Sequence, residues 1–155
     1  MRSISSDEAP TIKFKLFNNL IIIPGLVNRH GPFEFVVDTG ASISAVSKWV
    51  ASESNIKGSA RRMKHRGVGA GSVGDIDIGF ARVKSLGLTG VRIPNLLVTV
   101  LDFASFERKF GRRIGGLIGC DVLKRFDAVK IDFVAQVLEL GVKSNATIRK
   151  KSGRA

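Results

Sequence analysis

Apolar and polar residues alternate along much of this chain with the two-residue period of half-buried strands. Ile12, Phe14 and Leu16 alternate with Thr11, Lys13 and Lys15, which predicts one strand over 11–17 with those three apolar side chains facing inward. Leu20 to Ile23 reads as a second strand stopped by Pro24 and Gly25. Residues 27–32 read as a hairpin tip in which Asn28 and Gly31 take turn geometry and Pro32 ends pairing. Phe33 to Val37 is the returning, buried strand. Alternation resumes at Asp75–Ile78, Ala81–Lys84 and Leu86–Leu88, continues through Val91 and Ile93, and passes into the apolar run Leu96–Leu101. Val129–Phe133 and Gln136–Leu140 predict a closing hairpin. Short strands with turn residues between them indicate an all-β sandwich or barrel. Helix is expected in short pieces: Ser47 is placed to cap one or two turns that set Trp49 and Val50 against the core, and Val122, Leu123 and Phe126 share one face of another. Residues 102–113, with Phe103, Phe106 and Phe110, read as a longer, part-helical connection to which the sequence assigns no role.

The 155 residues suit a single domain, expected over 11–142, with a flexible segment at 1–10 and a basic, disordered tail at 143–155. No apolar run reaches the roughly 18 residues a membrane span needs. The first residues, Met1-Arg2-Ser3-Ile4-Ser5, lack the apolar core of a signal peptide, so a cytoplasmic protein is expected. Cys120 is the single cysteine; it excludes an internal disulfide and is expected to be a small buried apolar side chain. The net charge of +12 draws on Arg61-Arg62-Met63-Lys64-His65-Arg66 and on Lys143, Arg149, Lys150, Lys151 and Arg154 in the tail. With no aromatic stacking platform or recognition-helix pattern beside it, this charge reads as solvated faces, and no specific nucleic-acid partner is expected. Gly69, Gly71 and Gly74 match a dinucleotide-binding pattern in form. A strand-like segment follows them where that pattern requires a helix, so they are read as a hairpin tip. His30 has no second His, Cys or acid at ligand spacing and is read as a solvent-facing turn residue, and no metal is expected.

Candidate chemistry begins where the apolar strand Phe33–Val37 ends in Asp38-Thr39-Gly40. Burial penalises the charged form of a carboxylate, so an acid at a strand end needs donors, a partner or a task. An Asx turn with Gly40 at positive φ would satisfy the first of these. A second stretch weighs against stopping there: Gly115-Gly116-Leu117-Ile118-Gly119-Cys120-Asp121-Val122-Leu123-Lys124-Arg125-Phe126. Val37-Asp38-Thr39-Gly40-Ala41-Ser42 and this later stretch resemble, in that order, the two signatures of the retropepsin-like aspartic proteases. With Gly67-Val68-Gly69 between them, the chain also resembles the single-domain bacterial retropepsin-like proteins and those of the DNA-damage-inducible type, from about Phe14 to Leu140.

The resemblance implies a retropepsin-like acid protease fold: a closed β-barrel or sandwich with one or two short helices and a flap hairpin. Aspartic proteases use two carboxylates that share one proton across an attacking water. Only one Asp-Thr-Gly is present, so a homodimer giving Asp38 twice is implied, acting on peptide or protein without a cofactor. In that assignment Asp38 is catalytic, the Thr39 hydroxyl locks the two active-site loops together across the dimer axis, and Gly40 lets them approach and offers its backbone to substrate. Ala41, where pepsin-like enzymes often carry serine, implies activity nearer neutral pH. Ser42 stands where retroviral enzymes often carry a second acid that holds substrate backbone. Val36 and Leu117 would line specificity pockets, and Val68, Gly69, Ala70 and Gly71 would form the flap over an added peptide strand. Asp121 is expected to cap the helix after Gly119, and Asp132 to end a strand. Strands 11–17 and 136–140 are edge candidates for the dimer contact. The alternative is a peptide-binding or dimerisation module of the same fold that has lost turnover.

Overall fold

The computed structural model describes residues 9–57, 59–66 and 75–141, with the backbone alone for 59–66 and 75–78. Among these, the strands are β1 (Thr11–Lys13), β2 (Lys15–Phe17), β3 (Leu20–Val27), β4 (His30–Val37), β5 (Ala45–Ser47), β6 (Ser59–Arg66), β7 (Asp75–Leu88), β8 (Val91–Leu101), β9 (Gly116–Ile118), β10 (Val129–Asp132) and β11 (Val137–Leu140). Three short helices accompany them: α1 (Lys48–Glu53), α2 (Ala104–Phe110) and α3 (Cys120–Leu123). The glycine-rich tip 67–74, the first eight residues and the basic tail lie outside the described residues.

Strand neighbours run β3, β4, β9, β5, β8, β7 and back to β3, which closes a six-stranded barrel, with β2 added beside β3 and β6 beside β7. Closure leaves those six strands without open ladders along most of their length. The closing pairs are Leu26 with Gly87 and Val27 with Leu86. Gly87 permits the approach, since a Cβ there would lie 3.3 Å from the Leu26 Cβ. Phe35, Ile23, Val27, Val83, Ile93 and Ile118 fill the interior, each 1% exposed or less. The expected all-β barrel with short helices is therefore the architecture found.

The β3–β4 hairpin is tighter than residues 27–32 suggested. Asn28 and Arg29 both take positive φ, so a two-residue turn joins the strands, and β3 runs on through Pro24 to Val27. Pro24 is exposed and pairs with Glu34 beyond the end of β2, where only one edge of β3 is in a ladder, a setting that tolerates proline. Pro32 does not end the strand either; it sits where the register shifts between Gly25 and Val27. Asn28 earns its position twice: its Oδ1 accepts the amides of Lys84 (2.8 Å) and Ser85 (3.3 Å), and its Nδ2 donates to the Ser54 carbonyl at 3.1 Å.

Three other expectations are corrected. The strand expected over 11–17 breaks at Phe14: β1 pairs with β11, β2 pairs with β3, and after this change of sheet Leu16 is 43% exposed while Ile12 and Phe14 remain buried. The segments between 75 and 101 are two long strands, 14 and 11 residues, whose alternation survives a bulge where Asn95 takes φ 53°. Finally, β11 lies between β1 and β10 in a three-stranded sheet, so the edges there belong to β1 and β10, not to residues 136–140.

Helix α1 is capped as expected, with the Ser47 hydroxyl accepting the Val50 amide at 3.2 Å and Val50 fully buried. Trp49 packs edge-on against Phe33, ring centroids 5.3 Å apart, and donates to the Ile114 carbonyl. Helix α2 starts after Asp102, whose Oδ1 accepts the Ala104 amide at 2.9 Å, and ends at Gly111 in the left-handed region.

Gly116 is where three strands meet. A Cβ there would lie 1.9 Å from the Ala45 carbonyl oxygen. Gly116→Ala is expected to lower the thermal midpoint by about 10 °C or more by circular dichroism; a midpoint within about 2 °C of the parent would mean β5 and β9 can part without penalty. Asp102 gives a second expectation. The Ala104 amide, then nearby Lys48, hold its carboxyl below the usual carboxylate range against a small opposing effect of burial. A carboxyl acidified by folding stabilises the fold above its unfolded pKa, and that contribution fades as pH falls through the folded value. Amide protection of α2 should therefore drop between about pH 5 and pH 2 in the parent, and be low throughout in Asp102→Ala.

Candidate active site

Asp38 leaves the end of β4 under tight control. Parallel pairing of Phe35 with Gly116, Val36 with Leu117 and Val37 with Ile118 carries β4 alongside β9, and the Asp38 amide extends the ladder to the Ile118 carbonyl at 2.9 Å. Past that point the chain turns: Asp38 Oδ1 accepts the Gly40 amide at 2.9 Å, and the Asp38 carbonyl accepts the Ala41 amide at 3.2 Å. This is the Asx turn that the sequence allows, but Gly40 does not take positive φ in it. Its bareness serves instead to leave room, since a Cβ would come within 3.2 Å of Asp38 Oδ1. Asp38 is half-buried, and Thr39, Gly40 and Ser42 are exposed. Among the described residues, the Thr39 hydroxyl forms no hydrogen bond within the chain.

The second stretch grips this turn from below. Ala41 accepts the Cys120 amide at 2.8 Å, and a Cβ at Gly119 would fall 2.6 Å from the Ala41 oxygen. Asp121 does not cap α3, whose N-terminal residue Gly119 has no side-chain cap; Oδ1 of Asp121 accepts both the Ser44 amide (2.9 Å) and the Ser44 hydroxyl (2.7 Å). Ser44 Oγ in turn accepts the Gly119 amide at 2.9 Å, and the Ser44 carbonyl accepts the Thr99 amide at 3.0 Å. Ser44, only 2% exposed, thus ties the chain after Asp38 to β8 and to the start of α3. The sequence reading missed Ser44; its only signal was a hydroxyl residue at an apolar strand start. Cys120 is also corrected: it is half-exposed, and its Sγ lies 3.0 Å from the Thr39 carbonyl oxygen.

Side chains on β4 alternate. Phe33 and Phe35 point into the main core, whereas Val36 joins a second apolar cluster with Ile22 and Ile114, against which Leu117, Phe103 and Phe106 pack. By the same alternation Asp38 lies on the Val36 side of the sheet. Leu117 is half-buried beside its register partner Val36, which is 5% exposed. The arms of the expected flap are present as β6 and β7, with Met63 opposite Ile78 and Lys64 opposite Asp77. Val68, Gly69, Ala70 and Gly71 fall outside the described residues. Among the described residues no cluster of three or more His, Cys, Asp or Glu could hold a metal ion, and no helix is long and apolar enough to cross a membrane. The arrangement offers one accessible carboxylate on a rigid loop, beside an apolar wall and beneath a hairpin.

Residues 23–122 match a family model described as aspartyl protease. Among solved structures, the chain is similar to a retropepsin-like aspartic protease from Rickettsia conorii, with TM-score 0.59 and 22% identity over 90% of this chain and 96% of that one. It is also similar to the retroviral protease-like domain of Ddi1 from Leishmania major, with TM-score 0.51 and 22% identity over 88% and 95% of the two chains. A search of curated protein sequences finds no match.

Asp121→Ala removes the acceptor of two Ser44 donors and strands a buried hydroxyl. A loss of about 1–3 kcal/mol is expected in urea unfolding. Ser44→Ala should lose no more than a similar amount, and the double variant less than the sum of the two. Additive losses would show that the two side chains act separately.

Proposed function

Since the chain belongs to the aspartyl protease family, we propose that it is an aspartic endopeptidase whose active site is assembled from two copies, each giving one Asp38. The observation that carries this reading is the half-buried Asp38 carboxylate on a loop fixed to Ile118 and Cys120, accepting a hydrogen bond from its own Gly40 amide. Such a carboxylate adds little to the fold, and its neighbours hold it at the surface.

One carboxylate cannot act as both acid and base on the same water. Two Asp38 groups brought together across a two-fold axis share a proton, because like charges about 3 Å apart resist ionising together. The ionised member takes a proton from water as it attacks the scissile carbonyl carbon, and the protonated member donates to the carbonyl oxygen. Carboxylates and water complete this chemistry without a cofactor. The exposed Thr39 hydroxyl is free to bond the facing loop of the second copy, and Gly40 and Ala41 offer backbone to an extended peptide. Ser42, exposed beside them, offers a hydroxyl to substrate backbone. Strand addition under Val68–Gly71 supplies main-chain hydrogen bonds, and the apolar surface at Leu117, backed by Val36, supplies selectivity.

Digestion of a diverse peptide library from pH 3 to 8 tests the reading. The wild type should cleave between apolar residues, with its optimum nearer neutral than that of pepsin-like enzymes. Asp38→Asn should give no products while sedimenting as the same dimer. A wild-type dimer that binds peptides without releasing products at any pH would instead identify a binding module.

A further inference from the structure

The connection between β8 and β9, residues 102–115, holds α2, and none of the helix's residues is buried. Phe103 and Phe106 nevertheless pack on the cluster formed by Ile22, Val36 and Ile114, the cluster that Leu117 also joins. That cluster lies on the face of the sheet to which Asp38 belongs, since Val36 precedes Asp38 by two residues on the same strand. The two rings are therefore half-covered apolar surface next to the candidate catalytic carboxylate.

The connection is held rigidly at both ends. Asp102 caps the start of α2 through Ala104 and lies 3.6 Å from Lys48. At the far end the Arg112 guanidinium makes a two-point pair with Glu34, its Nε 2.8 Å from Oε2, and stacks over Phe17 at 4.9 Å. That pair raises the Arg112 pKa further and keeps the cation fixed. The Gly115 amide then bonds the Glu34 carbonyl, so both the side chain and the backbone of one β4 residue anchor the exit from α2. A segment so anchored has the stiffness of a wall.

We propose that α2 is the specificity wall of the cleft: Phe103 and Phe106, beside Leu117, bound an apolar subsite for the substrate side chain flanking the scissile bond. The inference rests on the proposed endopeptidase activity and names the residues that set its preference. The rings occupy the space over Val36, so the subsite admits a side chain of leucine or methionine size and disfavours phenylalanine and tryptophan. Removing one ring opens room that a larger substrate side chain fills.

The test compares kcat/KM for two peptides that differ only in leucine or phenylalanine beside the cleaved bond. In Phe106→Ala the phenylalanine-to-leucine ratio should rise about 10-fold over wild type. Phe106→Leu, which keeps most of the packing, should shift it in the same direction by about 3-fold and serves if the alanine variant does not fold. Phe133→Ala, on the β10–β11 turn, should leave the ratio at the wild-type value. An unchanged ratio in active, folded Phe106→Leu and Phe106→Ala proteins would overturn the wall assignment alone. Failure of the wild type to cleave either peptide, or any in the library, would overturn the endopeptidase reading on which it rests.

Discussion

The fold depends on a parallel pairing between segments some 80 residues apart. β4 and β9 lie side by side over three residue pairs, Phe35 with Gly116 through Val37 with Ile118, and the Asp38 amide prolongs the ladder. Gly115 and Gly116 make this possible by taking almost no space: a Cβ at Gly115 would sit 2.8 Å from the Phe33 Cβ, and one at Gly116 would overlap the Ala45 carbonyl. Every strand of the barrel is positioned by this contact, because β9 also pairs with β5 and β5 with β8. Contacts of such sequence separation must bear the loop-closure entropy before they return any stability, so formation of β4–β9 is a natural late and slow event in folding.

Four aspartates show how position decides the work of one side chain. Asp102 opens a helix, Asp132 closes a hairpin by accepting the amides of Val134 and Ala135, and Asp121 holds Ser44 across 77 residues of sequence. Each of those carboxylates accepts backbone or hydroxyl donors that keep a neighbouring segment in place. Asp38 accepts the single Gly40 amide and remains half-buried. A turn needs no more than an asparagine for that bond, so the ionisable group at this position has a task that local structure leaves unexplained.

What could be seen in the sequence was whatever depends on neighbours in the chain. The alternation of Ala81, Val83 and Ile93, the Ser47 cap and the turn at Asn28 are local, and all appear in the fold. The two stretches that carry the family resemblance also stood out, because their apolar-glycine-acid order is rare outside such a crossing. What was hidden depends on partners far away. Leu16 alternates correctly, yet its inward face is lost because the chain changes sheets at Phe14. Pro24 and Gly87 look like strand breakers; Pro24 sits where one edge of β3 is unpaired, and Gly87 lets β3 and β7 close the barrel. Asp121 looked like a cap because Gly119 precedes a helix, and its partner Ser44 could not be named before the crossing was known.

The same crossing explains why the candidate site is firm and yet incomplete. Below the turn, Ser44, Gly119 and Asp121 satisfy one another, and Cys120 and Ile118 take the backbone of Ala41 and Asp38. Above it, Thr39 and Gly40 face outward with donors and acceptors uncommitted within the described chain. A loop stabilised on one side only gains little by leaving such groups in water, whereas a second identical loop, related by a two-fold axis, offers hydroxyl for hydroxyl and carboxyl for carboxyl. Self-complementarity is the cheapest way for a single-signature chain to obtain two aspartates at one place. It also requires the loop to be rigid before association, since each copy must present its carboxylate within about half an ångström of the productive position. The Ser44–Asp121 clamp, remote from any substrate, supplies that rigidity in advance.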